Sequence, residues 1–226
     1  MDVEGSVALV TGGARGIGRA IADALRNRGA HVVVADLDGG DIAVDLTGVG
    51  EVARMIDEAA AMHGRIDVLV NNAGGYEQPV FPEAPPAHWR RTLELNLAAP
   101  MLAIQYVLPI MDRAGRGAIV NVASTAGLGD QPHPGPDYAA AKAGLIRLTS
   151  ALGWLKERHN IRVNCVCPHT VATVAVLQQL EYRTLGEMAP PPATILQPAE
   201  VALAVVRLIE DDTASGRTVV LWGEAP

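Results

Sequence analysis

Tyr138 and Lys142 are the two residues whose types and spacing most directly suggest chemistry. They lie four positions apart in the segment Tyr138-Ala-Ala-Ala-Lys142, so in a helix they share one face. A phenol has a pKa of about 10, and bringing it to about 7 requires roughly 4 kcal/mol of differential stabilisation. A nearby ammonium group favours the ionised phenol. The pair therefore predicts a general acid/base, with Tyr138 exchanging a proton with a substrate oxygen as a hydride moves at the adjacent carbon.

The surroundings of this pair favour a catalytic role over a chance surface contact, although such pairs occur in many helices. The helix follows a predicted strand that ends in Asn121-Val-Ala-Ser124. The carboxyl ends of strands are where α/β sheets bind ligands. We therefore expect Tyr138 to lie at a ligand-binding edge.

A glycine-rich turn near the start of the chain indicates a nucleotide site. The segment Thr11-Gly12-Gly13-Ala14-Arg15-Gly16-Ile17-Gly18 lies between the first apolar run and the first predicted helix. Glycines there let backbone N–H groups approach a pyrophosphate, which the helix N-terminus also favours. Asp36 closes the second predicted strand 18 residues after Gly18, as expected for dinucleotide binding.

Asp36 bears on the choice of dinucleotide. A carboxylate there can accept hydrogen bonds from the ribose diol of adenosine and would repel a 2′-phosphate. Arg15 is the counter-argument, because a guanidinium can hold that phosphate; it can equally pair with Asp36 or contact the pyrophosphate. The sequence favours NAD over NADP.

Two alternating patterns predict the fold around these residues. Short apolar runs typical of buried strands alternate with segments whose apolar residues recur at helical spacing. The predicted strands are Val7–Val10, Val32–Ala35, Val68–Val70, Ala118–Val122, Ile161–Cys167 and Thr218–Leu221. The predicted helices are 17–28, 51–63, 86–114 with a bend near Pro109, 138–158 and 198–211. Strands separated by helices imply a parallel sheet covered on both faces, so the sequence predicts a single doubly wound α/β domain over residues 1–226.

The helix predicted from Tyr138 to Arg158 is apolar on nearly every side. Such a helix is expected to be buried all round. One side must pack on the sheet, and the other is covered by a second subunit or by a neighbouring segment of the same chain. We expect a homodimer or homotetramer formed through this helix and the one over 86–114.

Composition and charge argue against several classes of protein. The 226 residues are 49% hydrophobic with a net charge of −7, and an acidic chain without a basic cluster is a poor nucleic-acid binder. No uninterrupted apolar run is long enough to span a bilayer, and the acidic start Met1-Asp-Val-Glu4 is unlike a signal peptide. Cys165 and Cys167 point the same way from one strand, so we expect buried free thiols rather than a disulfide or metal site. These features predict a cytoplasmic protein without a metal, membrane or nucleic-acid partner.

In order and spacing, these motifs resemble those of the short-chain dehydrogenase/reductase family over essentially the whole chain. The matching elements are Thr11-Gly12-x-x-x-Gly16-x-Gly18, Asn71-Asn72-Ala73-Gly74, Ser124 and Tyr138-x-x-x-Lys142, with Asn96 at the position of a fourth catalytic residue. The resemblance implies a Rossmann fold with a seven-stranded parallel sheet. It also implies an NAD(H)-dependent oxidoreductase that interconverts an alcohol and a ketone or aldehyde.

The resemblance gives each catalytic residue a role. Tyr138 would be the general acid/base, Ser124 would hydrogen-bond the substrate oxygen, and Lys142 would lower the pKa of Tyr138 and bind the nicotinamide ribose. Asn96 would hold a water molecule that connects Lys142 to solvent. Structural roles also remain open: Ser124 can cap a turn, and Asn96 can distort its helix by bonding backbone groups.

The resemblance also implies which residues line the cofactor. Asp45 and Leu46 match an adenine-contacting position, although Asp45 could equally be an ordinary exposed acid. Asn71 is expected to brace its strand instead. The other residues of this set are Gly12, Arg15, Gly16, Ile17, Gly18, Asp36, Asn72, Ala73, Gly74, Tyr138, Lys142, Pro168, Val171 and Thr173.

Several features depart from the usual family pattern. Pro168 is followed by His169 where the family usually has glycine, at a point where the backbone passes close to the nicotinamide. The interval before Tyr138 is one residue longer than usual, and its segment 131–136 is expected to line the substrate mouth. The chain also ends without the usual acidic-Gly-Gly tail. The segment at about 174–197 is expected to form a small apolar lid, which favours an apolar substrate, cyclic ones included, unless its side chains pack on the domain.

Two other functions remain compatible with the sequence. A non-redox enzyme on the same scaffold, of the cyclase, dehalogenase or epimerase type, would keep Ser124 and Tyr138; His169 favours it mildly, and the intact glycine turn with Asp36 counts against it. The second alternative is a catalytically silent NAD sensor. Such a protein would be expected to lack the catalytic Tyr or Lys, so the presence of both Tyr138 and Lys142 counts against it. The hydride-transfer enzyme is the favoured interpretation.

Overall fold

The computed structural model describes residues 1–78, 80–129, 133–174, 176–177 and 195–222. The strands are β1 Val7–Thr11, β2 His31–Asp36, β3 Ile42–Ala43, β4 Val68–Asn71, β5 Gly117–Val122, β6 Ile161–Pro168 and β7 Thr218–Leu221. The helices are α1 Gly16–Arg26, α2 Glu51–His63, α3 Pro86–Leu93, α4 Ala99–Ala114, α5 Pro136–Ala151, α6 Leu155–His159 and α7 Pro198–Glu210. The strands form one parallel sheet in the order β3-β2-β1-β4-β5-β6-β7. The predicted doubly wound Rossmann-type fold is confirmed.

The strands are apolar on both faces because helices cover both sides of the sheet. In β1, Ala8 and Val10 pack into a core with α1 and α7, whereas Leu9 packs into a second core with α2 and α4. This alternation follows from the two-residue repeat of a strand. Since a slip of one residue would exchange the two faces, the packing fixes the register and brings the carboxyl ends of the strands to one edge.

The seventh strand is the one that apolar runs alone do not predict. β3 contains only Ile42 and Ala43, which pair with Ala35 and Asp36 at the end of β2. Two residues carry no periodicity, so only the family resemblance anticipates this strand.

The helix predicted over 138–158 is in fact two helices. α5 ends at Ala151 and α6 begins at Leu155. Gly153 lies between them, and a Cβ there would come within 3.3 Å of the Gly216 backbone, so glycine permits the close approach of these two segments. In the single chain Ala140 and Ala143 are exposed on α5. Burial of that face by a second subunit stays a prediction.

The helix predicted over 86–114 is continuous, and it contains an irregular turn that the sequence did not indicate. A π-helical turn, Glu94–Ala98, joins α3 to α4, and Pro109 lies within α4. The π-helical hydrogen bonding therefore surrounds Asn96, while the bend near Pro109 stays a prediction. Asn96 Nδ2 donates to the Thr92 carbonyl at 2.8 Å, and such side-chain bonds compete with the helical ladder.

By length and composition, the continuous helix 86–114 could cross a membrane. The sequence alone does not identify this helix as a candidate membrane span, because polar residues interrupt its apolar run. In the structure α4 packs on α2, β4 and β5. We interpret the helix as a covering helix of the sheet.

Two sequence-based expectations concern cysteines and metal ligands. Cys165 and Cys167 are free, fully buried and 3.8 Å apart at Sγ, as expected for structural thiols. Within the ranges that the structure describes, no group of three His, Cys, Asp or Glu side chains is placed to hold a metal ion.

Three segments that the sequence analysis singled out lie wholly or mostly outside the described ranges. They are the expected lid over 174–197, residues 131–132 of the substrate mouth and the last four residues.

Candidate active site

The candidate site lies along the carboxyl edge of the sheet. The strand order reverses between β1 and β4, and a ligand crevice opens at such a switch point in α/β folds. The glycine turn follows β1, Asp36 ends β2, Asn72 follows β4 and Ser124 follows β5. The structure therefore brings the predicted nucleotide and catalytic residues to the same edge.

The turn after β1 is built around positions that require glycine. Gly12 and Gly16 have positive φ angles of 63° and 55°. A Cβ on Gly18 would lie only 2.0 Å from the Gly12 carbonyl oxygen, so the start of α1 packs directly on the loop. Thr173 Cγ2 lies 3.3 Å from the point that a Cβ on Gly16 would occupy. With so few side chains here, the N-terminus of α1 is open to an anionic group.

Asp36 lies beside this turn and is held by backbone groups. Its side chain accepts hydrogen bonds from the Ala14 N–H at 3.0 Å and the Asp38 N–H at 3.4 Å. Two backbone donors leave further lone pairs on the carboxylate for a ligand. Arg15 precedes α1 and is exposed, and Ile17 packs partly against the α1–α7 core. Among the residues described, the Arg15–Asp36 pair that the sequence left open does not form.

Side-chain hydrogen bonds fasten the segment after β4 to the segment after β1. Thr11 Oγ1 accepts from the N–H groups of Asn72 at 3.0 Å and Ala73 at 3.1 Å. Asn72 Nδ2 donates to the carbonyls of Thr11 and Gly12, both at 3.0 Å. The two sides of the crevice are therefore fixed relative to one another before any ligand binds.

Asn71 braces the sheet, as expected. Its Nδ2 donates to Asn121 Oδ1 at 2.9 Å, and Asn121 in turn donates to Thr149 Oγ1 at 2.9 Å. All three side chains are buried. The network ties β4 and β5 to α5, which carries Tyr138 and Lys142.

Asp45 and Leu46 differ in what they present to the crevice. Asp45 accepts hydrogen bonds from the Thr47 N–H and hydroxyl and pairs with Arg91 at 3.1 Å. The Thr47 hydrogen bonds, with a smaller effect of Arg91, hold the pKa of Asp45 below its ordinary value. The Leu46 side chain packs in the α2–α4 core, so its backbone alone can meet a ligand. Arg91 also pairs with Glu77 at 3.0 Å, which links this corner to the loop after β4.

Tyr138 lies in the first turn of α5, next to Ser124. Burial raises the pKa of Tyr138 to about 12, and a hydrogen bond with Ser124 opposes that shift. The expected lowering of this pKa by Lys142 is absent in the chain alone, because desolvation of the phenolate outweighs the favourable contacts. Ser124 Oγ also accepts from the Ala126 N–H at 3.1 Å, so this residue caps a turn and contacts Tyr138 as well.

Lys142 is almost fully buried, with 3% of its surface exposed. Its Nζ lies 5.5 Å from the centre of the Tyr138 ring and donates to the Val122 carbonyl at 3.0 Å. Burial lowers the pKa of Lys142 to about 8. The Nζ is 3.0 Å from where a Cβ on Gly74 would lie, so a side chain at position 74 would crowd the ammonium.

Asn96 clamps the loop after β4. Its Oδ1 accepts from the Gly75 N–H at 3.1 Å, and its Nδ2 donates to the Gly75 carbonyl at 2.7 Å. The side chain is completely buried. It thus has the backbone-bonding role that the sequence left open, while its predicted water contact stays a prediction.

Two further rings surround Tyr138. The ring centres of Tyr76 and His133 lie 5.2 Å and 5.6 Å from that of Tyr138. His133 belongs to the segment expected to line the substrate mouth, whereas sequence reasoning missed Tyr76. The only available signal for Tyr76 is its place two residues after Gly74.

The side chain of His169 is turned toward the end of the sheet. Its Nδ1 lies 3.0 Å from Thr125 Oγ1, and its ring packs on Trp222 with centres 5.2 Å apart. The His169 N–H donates to the Leu221 carbonyl at 2.9 Å. These contacts provide a structural role for the residue that stands in place of the family's glycine. Nearby, Pro168 closes β6, and Val171 is buried and bridged to Leu196.

His169→Ala is expected to lower stability without weakening cofactor binding. The substitution removes a hydrogen bond worth about 1 kcal/mol and a ring contact of roughly 0.5–1 kcal/mol. Urea denaturation should show a loss of about 1–2 kcal/mol, while the NADH Kd, followed by fluorescence, stays within about twofold of wild type. Loss of NADH affinity without loss of stability would show instead that the imidazole contacts the cofactor.

Comparisons with known proteins agree with this geometry. The family model described as short chain dehydrogenase matches residues 6–182. The L-fucose dehydrogenase of Bos taurus is 33% identical, over 98% of this chain and 89% of the relative. The cis-4-hydroxycyclohexanecarboxylate dehydrogenase of Sinomonas cyclohexanicum is 38% identical, over 91% and 89%. The structure of an aldohexose dehydrogenase from Thermoplasma acidophilum has a TM-score of 0.85 and 28% identity, covering 97% of this chain and 93% of that one. The chain is an oxidoreductase that belongs to the short-chain dehydrogenase/reductase family.

Proposed function

We propose that the protein is an NAD(H)-dependent dehydrogenase that interconverts an alcohol and the corresponding ketone or aldehyde on a small, largely apolar molecule. The observation that carries this proposal is the position of the Tyr138 hydroxyl. It lies next to Ser124, with the Lys142 ammonium 5.5 Å from its ring. The same sheet edge carries Asp36 and the glycine turn.

The residues of the crevice fit a nicotinamide dinucleotide. A Cβ at Gly12 or Gly18 would collide with neighbouring backbone, which matches a loop that must lie close to a pyrophosphate. Asp36 would accept hydrogen bonds from the adenosine ribose, and Lys142 would bind the nicotinamide ribose. The bound dinucleotide supplies a carbon that accepts or gives a hydride and, when oxidised, a positive charge.

Tyr138 is the proposed proton carrier. In oxidation, the hydroxyl proton of the alcohol passes to Tyr138 Oη as the hydride leaves the carbon; in reduction, Tyr138 returns a proton to the carbonyl oxygen. The Ser124 hydroxyl would donate a hydrogen bond to the same oxygen. Because burial raises the pKa of Tyr138 to about 12, the chain alone keeps the protonated form needed for reduction. A nearby positive charge favours the phenolate needed for oxidation.

Titration of the protein with NADH and NADPH, followed by fluorescence, tests the proposed cofactor. Wild type should prefer NADH, and Asp36→Ala should lower that preference at least about tenfold. The reason is that the substitution removes both an acceptor for the ribose diol and the charge that repels a 2′-phosphate.

Asp38→Ala is the matched control. Asp38 is two residues further along and exposed, so the same loss of charge there should leave the preference within about twofold. Equal binding of NADH and NADPH by wild type would contradict the proposed specificity, and binding of neither would contradict the proposed cofactor site.

A panel of alcohols with NAD⁺, followed by NADH absorbance, tests the reaction. We propose a cyclic alcohol as substrate, since a similar protein is named for a hydroxycyclohexane acid. Tight NADH binding without turnover of any alcohol or ketone would count against hydride transfer. The orientation of His169 toward Thr125 and Trp222 removes the one feature that favoured a non-redox enzyme.

We also propose a cytoplasmic homodimer or homotetramer that acts on a small molecule, with no nucleic-acid or membrane partner. Support for the oligomer comes from apolar side chains left exposed on α4 and α5. They are Met101, Tyr106, Ala140 and Ala143. Light scattering of the purified protein tests the proposed oligomeric state, and a monomer at micromolar concentration would contradict it.

A further inference from the structure

We infer that Tyr76 and His133, with the ring of Tyr138, form an aromatic wall that selects substrates whose reacting carbon belongs to a ring. The inference rests on the proposed role of Tyr138 and adds the residues that would recognise a cyclic substrate. The three ring centres lie 5.2 Å (Tyr76–Tyr138), 5.6 Å (His133–Tyr138) and 5.8 Å (Tyr76–His133) apart. Each ring thus contacts the other two, and one of them carries the proposed proton-transferring hydroxyl.

The rings form a corner rather than a flat surface. His133 is stacked on Tyr138 with an interplanar angle of 29°, whereas Tyr76 meets His133 at 81° and Tyr138 at 53°. All three side chains are half-buried, so part of each ring remains uncovered. A corner of this kind can contact both a face and an edge of a compact ligand.

The two added rings are held by separate loops. Tyr76 follows Gly75, whose N–H and carbonyl are both bonded to the buried Asn96 side chain. His133 Nδ1 accepts from the Gly135 N–H at 3.0 Å, next to the start of α5. Because the backbone before Tyr76 and the His133 ring are both hydrogen-bonded before a ligand arrives, less ordering of the protein is needed on binding.

The wall favours cyclic over open-chain compounds for two physical reasons. Aromatic rings bind extended apolar surface, and a cyclic ligand presents a rigid face of C–H groups to them. An open chain with the same number of carbon atoms must lose rotational freedom to make the same contacts. The wall lies beside Tyr138, so this preference applies to the atoms around the reacting carbon.

Binding of cyclohexanone and 2-hexanone in the presence of NAD⁺, with which a ketone cannot react, tests the inference. Ligand-observed NMR gives both dissociation constants for the full chain. Wild type should bind cyclohexanone at least about fivefold more tightly, and Tyr76→Leu and His133→Leu should each reduce that ratio to within about twofold of unity. Tyr76→Phe keeps the ring and should keep the ratio.

His31→Leu is the matched control for His133→Leu. His31 stacks on His63 with centres 5.4 Å apart, at the amino end of β2, on the opposite edge of the sheet. Unchanged circular dichroism shows that each variant folds. A wild type without ring preference, or a preference that survives in both leucine variants, would overturn the inference. Since the ratio needs no turnover, failure to oxidise cyclohexanol would count only against the proposed reaction.

Discussion

Tyr138→Phe is expected to lower kcat by about 1,000-fold or more while the NADH Kd changes less than about twofold. The substitution removes only the hydroxyl, so the ring contacts with Tyr76 and His133 can persist. It deletes the hydroxyl beside Ser124, which the proposed mechanism uses to carry a proton to or from the substrate oxygen. Steady-state kinetics together with fluorescence titration measure the two effects separately.

Tyr106→Phe is the control for this experiment. Tyr106 lies on α4 with its side chain exposed, so loss of its phenol hydroxyl should retain most of the turnover. Retained activity in Tyr138→Phe would show that another group transfers the proton, and the proposed mechanism would be wrong. A large loss of NADH affinity would assign Tyr138 to cofactor binding instead.

Lys142→Met is expected to lower kcat at least about 100-fold and to change how stability depends on pH. Burial lowers the pKa of Lys142 from 10.5 to about 8 in the folded chain, so between these values the unfolded chain holds more protons. Stability of the wild type therefore rises with pH across this window. Below pH 8 the cost of the buried charge is fully present, on the order of 3 kcal/mol.

Urea denaturation of both proteins from about pH 7 to pH 10 checks the sign. Methionine is uncharged, so the stability of Lys142→Met relative to wild type should be highest at the low end and should fall by about 2–3 kcal/mol toward pH 10. Tyr138 contributes little to this comparison, because its raised pKa reduces stability only above its ordinary value of 10.0. Parallel curves for the two proteins would show that Lys142 is not a strained cation in the folded state.

The parts of the site that the sequence predicts are those set by local spacing. Tyr138 and Lys142 share a helical face, and the glycines and Asp36 follow strand ends, so strand order alone brings them together. The effect of Lys142 on the pKa of Tyr138 was not predictable in this way, because it depends on how deeply both groups are buried. The spacing of Tyr138 and Lys142 shows that the two side chains are close, but it does not show how far burial shifts their pKa values.

The parts that the sequence does not predict depend on contacts between distant segments. Tyr76 meets Tyr138 across 62 positions of the chain, and no periodic pattern records that contact. The π-helical turn at Glu94–Ala98 has an ordinary helical composition, so the sequence does not mark it. The contact of Asn96 in this turn with Gly75 joins residues that lie 21 positions apart. At the break after Ala151, the backbone of Gly216 lies close to Gly153, and this contact also joins segments that are distant in the sequence.

The π-helical turn lets the helix over 86–114 hold one extra residue without turning α3 away from its partners. Each residue of an α-helix advances the chain by about 100° around the axis, and a π-helical turn holds about one residue more than an α-helical turn. Deleting one residue within Glu94–Ala98 would therefore leave an α-helical turn with α3 and α4 in nearly the same angular phase, and Arg91 could keep its contacts with Asp45 and Glu77. The wider turn itself would be lost, and with it the geometry by which Asn96 bonds the Gly75 backbone. An alignment gap in this short stretch would thus mark a relative whose loop after β4 is held in another way, rather than one in which α3 faces a different direction.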